Sequence, residues 1–207
     1  PIVNSPGLLI KGTNADDDIT IIARDASYIQ PGNPVPAGLD GIRDFTVSIN
    51  GGLEILYIDV GGPDVAPAPS ITGSLYVDGL AGDDDIVVRS PAPNGAAWAM
   101  NLFVAGGTPA SGTGDQGDVF ELETPGVNTV VFTATGPDSA TILLDQAAVG
   151  AVGDSLITIG QFFNAFPTSP TAGNGYNSSP GGVEQIVYDG VDSSGLDDLT
   201  INGSFND

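Results

Sequence analysis

Aspartates recur in tight clusters at the start of short hydrophobic runs, and their spacing is the first sign of chemistry in this chain. Asp16, Asp17 and Asp18 precede Ile19, and Asp83, Asp84 and Asp85 precede Ile86. Asp197 and Asp198 precede Leu199, with Asp192 and Gly195 ahead of them, and Asp115 and Asp118 form a looser fourth cluster before Val119. Carboxylates this close raise one another's pKa unless positive charge sits among them. A hard divalent cation takes six to eight oxygens, which carboxylates and turn carbonyls supply. Calcium is therefore the expected cofactor. Asp16, Asp17, Asp18, Asp83, Asp84, Asp85, Asp115, Asp118, Asp192, Asp197 and Asp198 are its candidate ligands. The same turns also read as solvated corners that keep a sheet in solution.

Other chemistry is scarce. The chain has no histidine and no cysteine, which removes the common catalytic triads and zinc sites. No glycine-rich loop runs into a helix as a nucleotide site would require. Paired carboxylates could cleave a polysaccharide if they aligned on adjacent strands, and Asp59, Asp78 and Asp189 lie near strand ends. In so acidic a chain such a pairing arises by chance, and a lyase would want a base that four cations scarcely provide. The reading is that the chain is not an enzyme. Trp98, Phe103, Phe120, Phe162, Phe163 and Tyr176 could include a sugar platform, with Phe103 and Phe120 expected in the core.

The charge narrows the partners. Against 26 acidic residues stand Lys11, Arg24, Arg43 and Arg89, for a formal charge of -22 over 207 residues. Self-repulsion at that density opposes compaction, and bound cations or high salt would relieve it. Nothing here can neutralise a phosphate backbone, so nucleic acid is excluded as a partner, and an anionic membrane surface is disfavoured. No run approaches the roughly 18 to 20 apolar residues of a membrane span, so membrane insertion is not expected. The first residue is Pro1, with no methionine or signal-like segment, which reads as a processed chain or a piece of a longer one.

The elements that must position the acidic turns are strands. Helical periodicity is nearly absent, while runs of four to six strand formers alternate with glycine and aspartate. Seven segments repeat a strand that ends at a glycine, at Gly12, Gly51, Gly79, Gly106, Gly136, Gly160 and Gly190. Their spacing averages about 30 residues, within the range of stacked repeats. The expected fold is all-β, a single domain over 1–207. It would be a right-handed parallel β-solenoid of about seven irregular coils, whole or as a segment of a longer repeat protein. Its inward rows would place Leu75 and Val77 over Phe103, and Ile86 and Val88 over Val119. An antiparallel β-sandwich of hairpins is the alternative. Proline-rich insertions, Pro31 to Gly41, Gly61 to Pro69, Pro91 to Ala97 and Phe166 to Gly182, would loop off the body, because proline cannot donate to a sheet ladder. A stack with open ends exposes strand edges, so unusual caps, a longer chain or end-to-end association of copies must cover them.

The stretch Gly79 to Val87 resembles the haemolysin-type calcium-binding nonapeptide, Gly-Gly-x-Gly-x-Asp-x-hydrophobic-x. Gly79, Gly82, Asp84 and Ile86 match it, with Leu80 in place of the second glycine. Gly12, Asp17 and Ile19 match at 12–20, and Gly195, Asp197 and Leu199 match near the C-terminus. The chain is also similar to the degenerate long-coil repeats of very large bacterial surface proteins. The resemblance implies a parallel β-roll, calcium in the turns, and secretion or surface display.

Together these features read as a noncatalytic extracellular or cell-surface protein. It would be a structural or adhesive segment of a surface layer, filament or stalk, stabilised by calcium, and it would associate end to end or within a larger surface assembly. The alternative is a carbohydrate-binding or polysaccharide-cleaving β-helix protein that uses its acidic residues.

Overall fold

The computed structural model describes residues 5–32, 43–58, 71–90, 98, 100–108, 117–124, 129–136, 139–145, 155–161, 177–178, 183–190 and 198–202. These hold thirteen strands and no helix, so none is long and apolar enough to cross a membrane. They are β1 (Ser5–Lys11), β2 (Asp18–Ala23), β3 (Phe45–Ile49), β4 (Ile55–Tyr57), β5 (Ile71–Asp78), β6 (Asp85–Arg89) and β7 (Leu102–Ala105). Then follow β8 (Val119–Glu123), β9 (Thr129–Gly136), β10 (Ser139–Asp145), β11 (Ser155–Ile159), β12 (Gln185–Asp189) and β13 (Asp198–Asn202).

The strands form two mixed sheets. The seven-stranded sheet runs β1-β5-β7-β11-β10-β9-β13, and the six-stranded sheet runs β12-β8-β6-β2-β3-β4. Within each, four successive strands are parallel: β1, β5, β7 and β11 in the first, β2, β6, β8 and β12 in the second. Strand pairs joined by the acidic turns therefore alternate between the sheets. Antiparallel strands then extend each sheet, β10 against β11 and β9 in one, β3 against β2 and β4 in the other.

This overturns the expected seven-coil, right-handed parallel solenoid, and the purely antiparallel sandwich with it. The reason lies in two of the glycines taken as coil corners. Asn50 and Gly51 both adopt left-handed backbone, with φ of 53° and 64°. That geometry turns a chain back on itself, so β3 and β4 pair as antiparallel neighbours. Gly136 likewise ends the first arm of the β9–β10 hairpin, where it is paired with Ser139. A strand ending in glycine is compatible with both a corner and a hairpin, and the units with a buried aspartate ahead of the second strand, at Asp17, Asp84 and Asp118, are ones that stack in parallel.

Alternation along the strands builds one core between the sheets. Ile19 and Ile21, Ile86 and Val88, and Phe120 and Leu122 point inward from β2, β6 and β8, all essentially inaccessible. Facing them are Leu75 and Val77 of β5, Leu102 and Val104 of β7, and Ile157 and Ile159 of β11. The expected rows were one residue out of register. Leu75 and Val77 pair with Leu102 and Val104, not Phe103, and Ile86 pairs with Phe120, not Val119. A slip of one residue exchanges the faces of a strand, so Phe103 lies outside, stacked on Tyr76 with centroids 4.9 Å apart. Trp98 is buried edge-on to Phe45, which also stacks on Tyr57. The proline-rich insertions lie almost wholly outside the described residues.

Candidate functional site: a carboxylate ladder in the turns

Asp17, Asp84 and Asp118 each stand immediately before a strand, two residues ahead of a core side chain: Ile19, Ile86 and Phe120. Because β2, β6 and β8 are stacked in register, the three carboxylates stack as well, and alternation turns them inward. Asp17 is 2% exposed, and Asp84 and Asp118 are 0% exposed. Their neighbours face the other way. Asp18 and Asp85 are exposed and paired on the outer face of the six-stranded sheet, and Asp16 is exposed in the turn, where its Oδ1 accepts the Asp83 backbone N–H at 3.0 Å.

Hydrogen bonds run down the buried column in one direction. The Asp17 N–H donates to Asp84 Oδ1 at 2.9 Å, and the Asp84 N–H to Asp118 Oδ1 at 2.9 Å. The Asp118 N–H donates to Glu184 Oε2 at 2.7 Å. Each backbone carbonyl in the column accepts in return, from Asp85 to Asp17 and from Val119 to Asp84. A side-chain oxygen thus replaces the carbonyl that a continuous strand would offer at this point, which satisfies a buried N–H that otherwise costs about 1–3 kcal/mol.

Asn50 closes the column at the β3 end. Its Nδ2 donates to Asp17 Oδ1 at 2.7 Å, and its Oδ1 accepts the Asp18 N–H at 2.7 Å. Asp17 Oδ2 accepts the N–H of Thr13 and, at 2.9 Å, its hydroxyl. Asp17 is therefore fully satisfied. Burial pushes its pKa up, but the Thr13 N–H, the Asn50 amide and the Thr13 hydroxyl outweigh that and hold it below the ordinary carboxylate value.

The next two rungs are different. Asp84 Oδ2 and Asp118 Oδ2 are buried and have no hydrogen-bond partner. Burial, reinforced by the charges of Asp118, Asp17 and Asp16, pushes Asp84 up to about 7 against the N–H of Asp17. Burial, with Glu184 and Asp83 adding to it, pushes Asp118 up to about 6 against the N–H of Asp84. An ionised oxygen without a partner is expensive in such a place, so each of these two oxygens calls for a proton or a cation.

Glycines make room for them. A side chain on Gly79 would meet Asp84 Oδ2 and the Gly106 carbonyl oxygen inside 3.0 Å, and one on Gly12 would meet Asp17 Oδ2 and the Gly79 carbonyl oxygen equally closely. Each bare Cα thus faces a carboxylate oxygen of its own turn and a carbonyl oxygen of the next. Gly79→Ala should lower stability by about 2 kcal/mol or more, since the opposing atoms include rigid backbone, and urea unfolding would measure it. Leu80, where the nonapeptide has its second glycine, adopts φ of 83°, and Gly107, stacked against it, adopts 120°. A leucine there is strained.

Of the expected ligands, then, Asp17, Asp84 and Asp118 share one column, Asp16 and Asp83 form an outer contact beside it, and Asp18 and Asp85 point away. Asp115, Asp192 and Asp197 lie outside the described residues, and Asp198 opens β13 at the far edge of the other sheet. Glu184 and Asn50 were not anticipated. Glu184 carries the same signal as the aspartates, an acid two residues before an apolar side chain, Ile186, on a stacked strand. Among the described residues no three acidic side chains converge on a point that would hold a metal by themselves, so a cation would depend on turn carbonyls. Asp78 and Asp189 lie in different sheets, and Asp59 lies outside the described residues. Comparison of the chain with family models, curated proteins and solved structures found no match.

Proposed function

We propose that this chain is a noncatalytic structural or adhesive segment of an extracellular or cell-surface protein, of the surface-layer, filament or stalk kind, and that calcium stabilises its acidic turns. The observation that carries the reading is the pair of buried, unpartnered oxygens, Asp84 Oδ2 and Asp118 Oδ2, in a chain of net charge -22. Asp84 and Asp118, with glycine carbonyls of the stacked turns, would hold the ion, an all-oxygen set of the kind calcium takes. Bound calcium supplies positive charge where desolvation and like-charge repulsion otherwise disfavour ionisation. Sites completed by backbone oxygens suit a calcium-rich medium, as in extracellular modules that bind at about 10⁻⁴–10⁻³ M. The nonapeptide resemblance supports the same assignment, because its aspartate and hydrophobic positions correspond to Asp84 and Ile86 and to Asp17 and Ile19, all buried.

The described aromatic residues do not favour the sugar-binding alternative; Phe162, Phe163 and Tyr176 lie outside the described residues. Trp98 and Phe120 are in the core, and Phe103 and Tyr76 stack on each other at an interplanar angle of 11°, so that each covers one face of the other.

The test is thermal unfolding in calcium and in chelator at matched ionic strength. Calcium should raise the melting temperature by more than about 5 °C, as a ligand of the folded state does when well above its Kd. Identical melting in both media would remove calcium from the account.

A further inference from the structure

We infer that copies of this chain join head to tail, with β1 of one molecule extending the seven-stranded sheet of the next beyond its β13. The inference rests on the structural reading above and specifies how the assembly is built. Strand direction is the first support. From β1 through β5, β7 and β11 the seven-stranded sheet is parallel, β10 is reversed, and β9 and β13 resume the original direction. The two outer strands of the sheet therefore run the same way. A translated copy offers its β1 to β13 as one more parallel neighbour, like those inside the sheet. The six-stranded sheet obeys the same rule, since only β3 is reversed between β12 and β4. A two-fold pairing of β1 with β1 would be antiparallel.

An uncovered apolar surface lies at the β1 end. Ile55 of β4 is the register partner of Val47, which is 4% exposed and in the core, yet Ile55 itself is 56% exposed. The inward residues of β3 are already covered, with Trp98 edge-on to Phe45, and the exposed apolar side chain is on β4, the outer described strand of its sheet on the side of β1. A strand added beside β1 would lie on that side of the molecule. Leu53, in the adjoining turn, is 91% exposed.

Charge is polarised along the same axis. Lys11 lies on β1, Arg24 follows β2 and is paired with Glu54, Arg43 precedes β3, and residues 90–207 contain no Lys or Arg at all. The opposite end, built from β9, β10, β11, β12 and β13, carries only carboxylates. Both ends are net acidic, residues 1–89 carrying 13 Asp and Glu against 4 Lys and Arg, and head-to-tail contact is the orientation that brings the end with cations to the end without any. Such a contact is heterologous and does not close on itself, so it propagates into a linear array.

The chain has no cysteine, which makes a thiol test clean. Leu9, paired with outward-facing Tyr76, and Thr200, exposed on β13, would each be changed singly to cysteine. The two variants would be mixed with a short bismaleimide, each thiol adding across one maleimide double bond. Melting close to that of the parent would establish that both variants fold. A Leu9→Cys and Thr200→Cys mixture should give cross-linked dimer at least tenfold above either variant alone, and the double variant should give a ladder of multimers. Lys11→Glu should reduce the yield. Self-cross-linking of Leu9→Cys as efficient as the mixture would replace head-to-tail contact with a two-fold one. A mixture no better than a Ser48→Cys control on the other sheet would overturn the inference outright. Calcium-dependent melting without the β1–β13 cross-link would leave the structural reading standing and remove only this geometry.

Discussion

With calcium chelated, the melting temperature should fall as pH is raised from about 5 to 7.5. Asp84 titrates at about 7 and Asp118 at about 6 in the folded protein, against an ordinary value of 3.8 in the unfolded chain. Between those values the native state binds more protons than the unfolded state, so stability declines with rising pH and levels off once both carboxyls are ionised in both states. Each unit separating folded and unfolded pKa is worth about 1.4 kcal/mol. Coupling between the rungs makes a few kcal/mol a realistic total, or roughly 5–10 °C for a chain of this size. Glu121, which burial and the charges of Glu123, Asp189 and Asp85 also push up, contributes in the same sense. Asp17 behaves in the opposite sense. Its lowered pKa contributes stability that is present above 3.8 and lost as pH falls further.

Calcium should reverse the slope. The ion needs ionised carboxylates, so protons compete with it at pH 5 and do so much less at 7.5, and the gain from calcium grows across the window. A flat melting temperature in chelator would mean that Asp84 and Asp118 are not desolvated as the ladder places them. A falling one that calcium does not correct would leave the column as a set of buried acids that hold protons, with no cation.

Much of this ladder can be read in the residues, and the misread portion has one physical origin. An acid followed at two and four residues by apolar side chains occurs at Asp17-Ile19-Ile21, Asp84-Ile86-Val88, Asp118-Phe120-Leu122 and Glu184-Ile186-Tyr188. Period-two alternation then puts the acid on the same face as the core. Local alternation sets which residues share a face, and that is why strands such as β2 and β6 follow from their own residues. It does not set which strand lies beside which. Gly51 and Gly136 end strands as Gly12 and Gly79 do, yet the first two lead into hairpins and the second two into crossings between sheets. The difference depends on distant partners, such as the Asn50 side chain meeting Asp17 across 33 residues of chain. The exchange of Phe103 for Leu102 in the core has the same cause. Both are apolar and adjacent, and only pairing with Leu75 and Ile157 selects one.

Substitution of the ladder's aspartates should therefore give opposite results at equivalent positions. Asp17→Ala removes the acceptor for the Thr13 N–H, the Thr13 hydroxyl and the Asn50 amide. These donors lie in a partly buried turn and lose a charged partner, so the cost should be about 2–4 kcal/mol in urea unfolding at pH 7. Asp84→Asn keeps an oxygen to accept the Asp17 N–H and places an NH₂ donor where the unpartnered oxygen stood, beside the Gly106 carbonyl at the bare Cα of Gly79. It also removes the like charge that burial and Asp118 disfavour. In chelator at pH 7.5 this variant should be as stable as the parent or more so, its melting temperature should vary less with pH, and its response to calcium should be lost. Equal destabilisation by Asp17→Ala and Asp84→Asn would show that the two rungs carry the same kind of contact, and the distinction between a satisfied rung and an ion-seeking one would fail. A loss of calcium response without loss of stability in Asp84→Asn separates binding from folding, because the acceptor that holds the strand register survives while the anionic ligand does not.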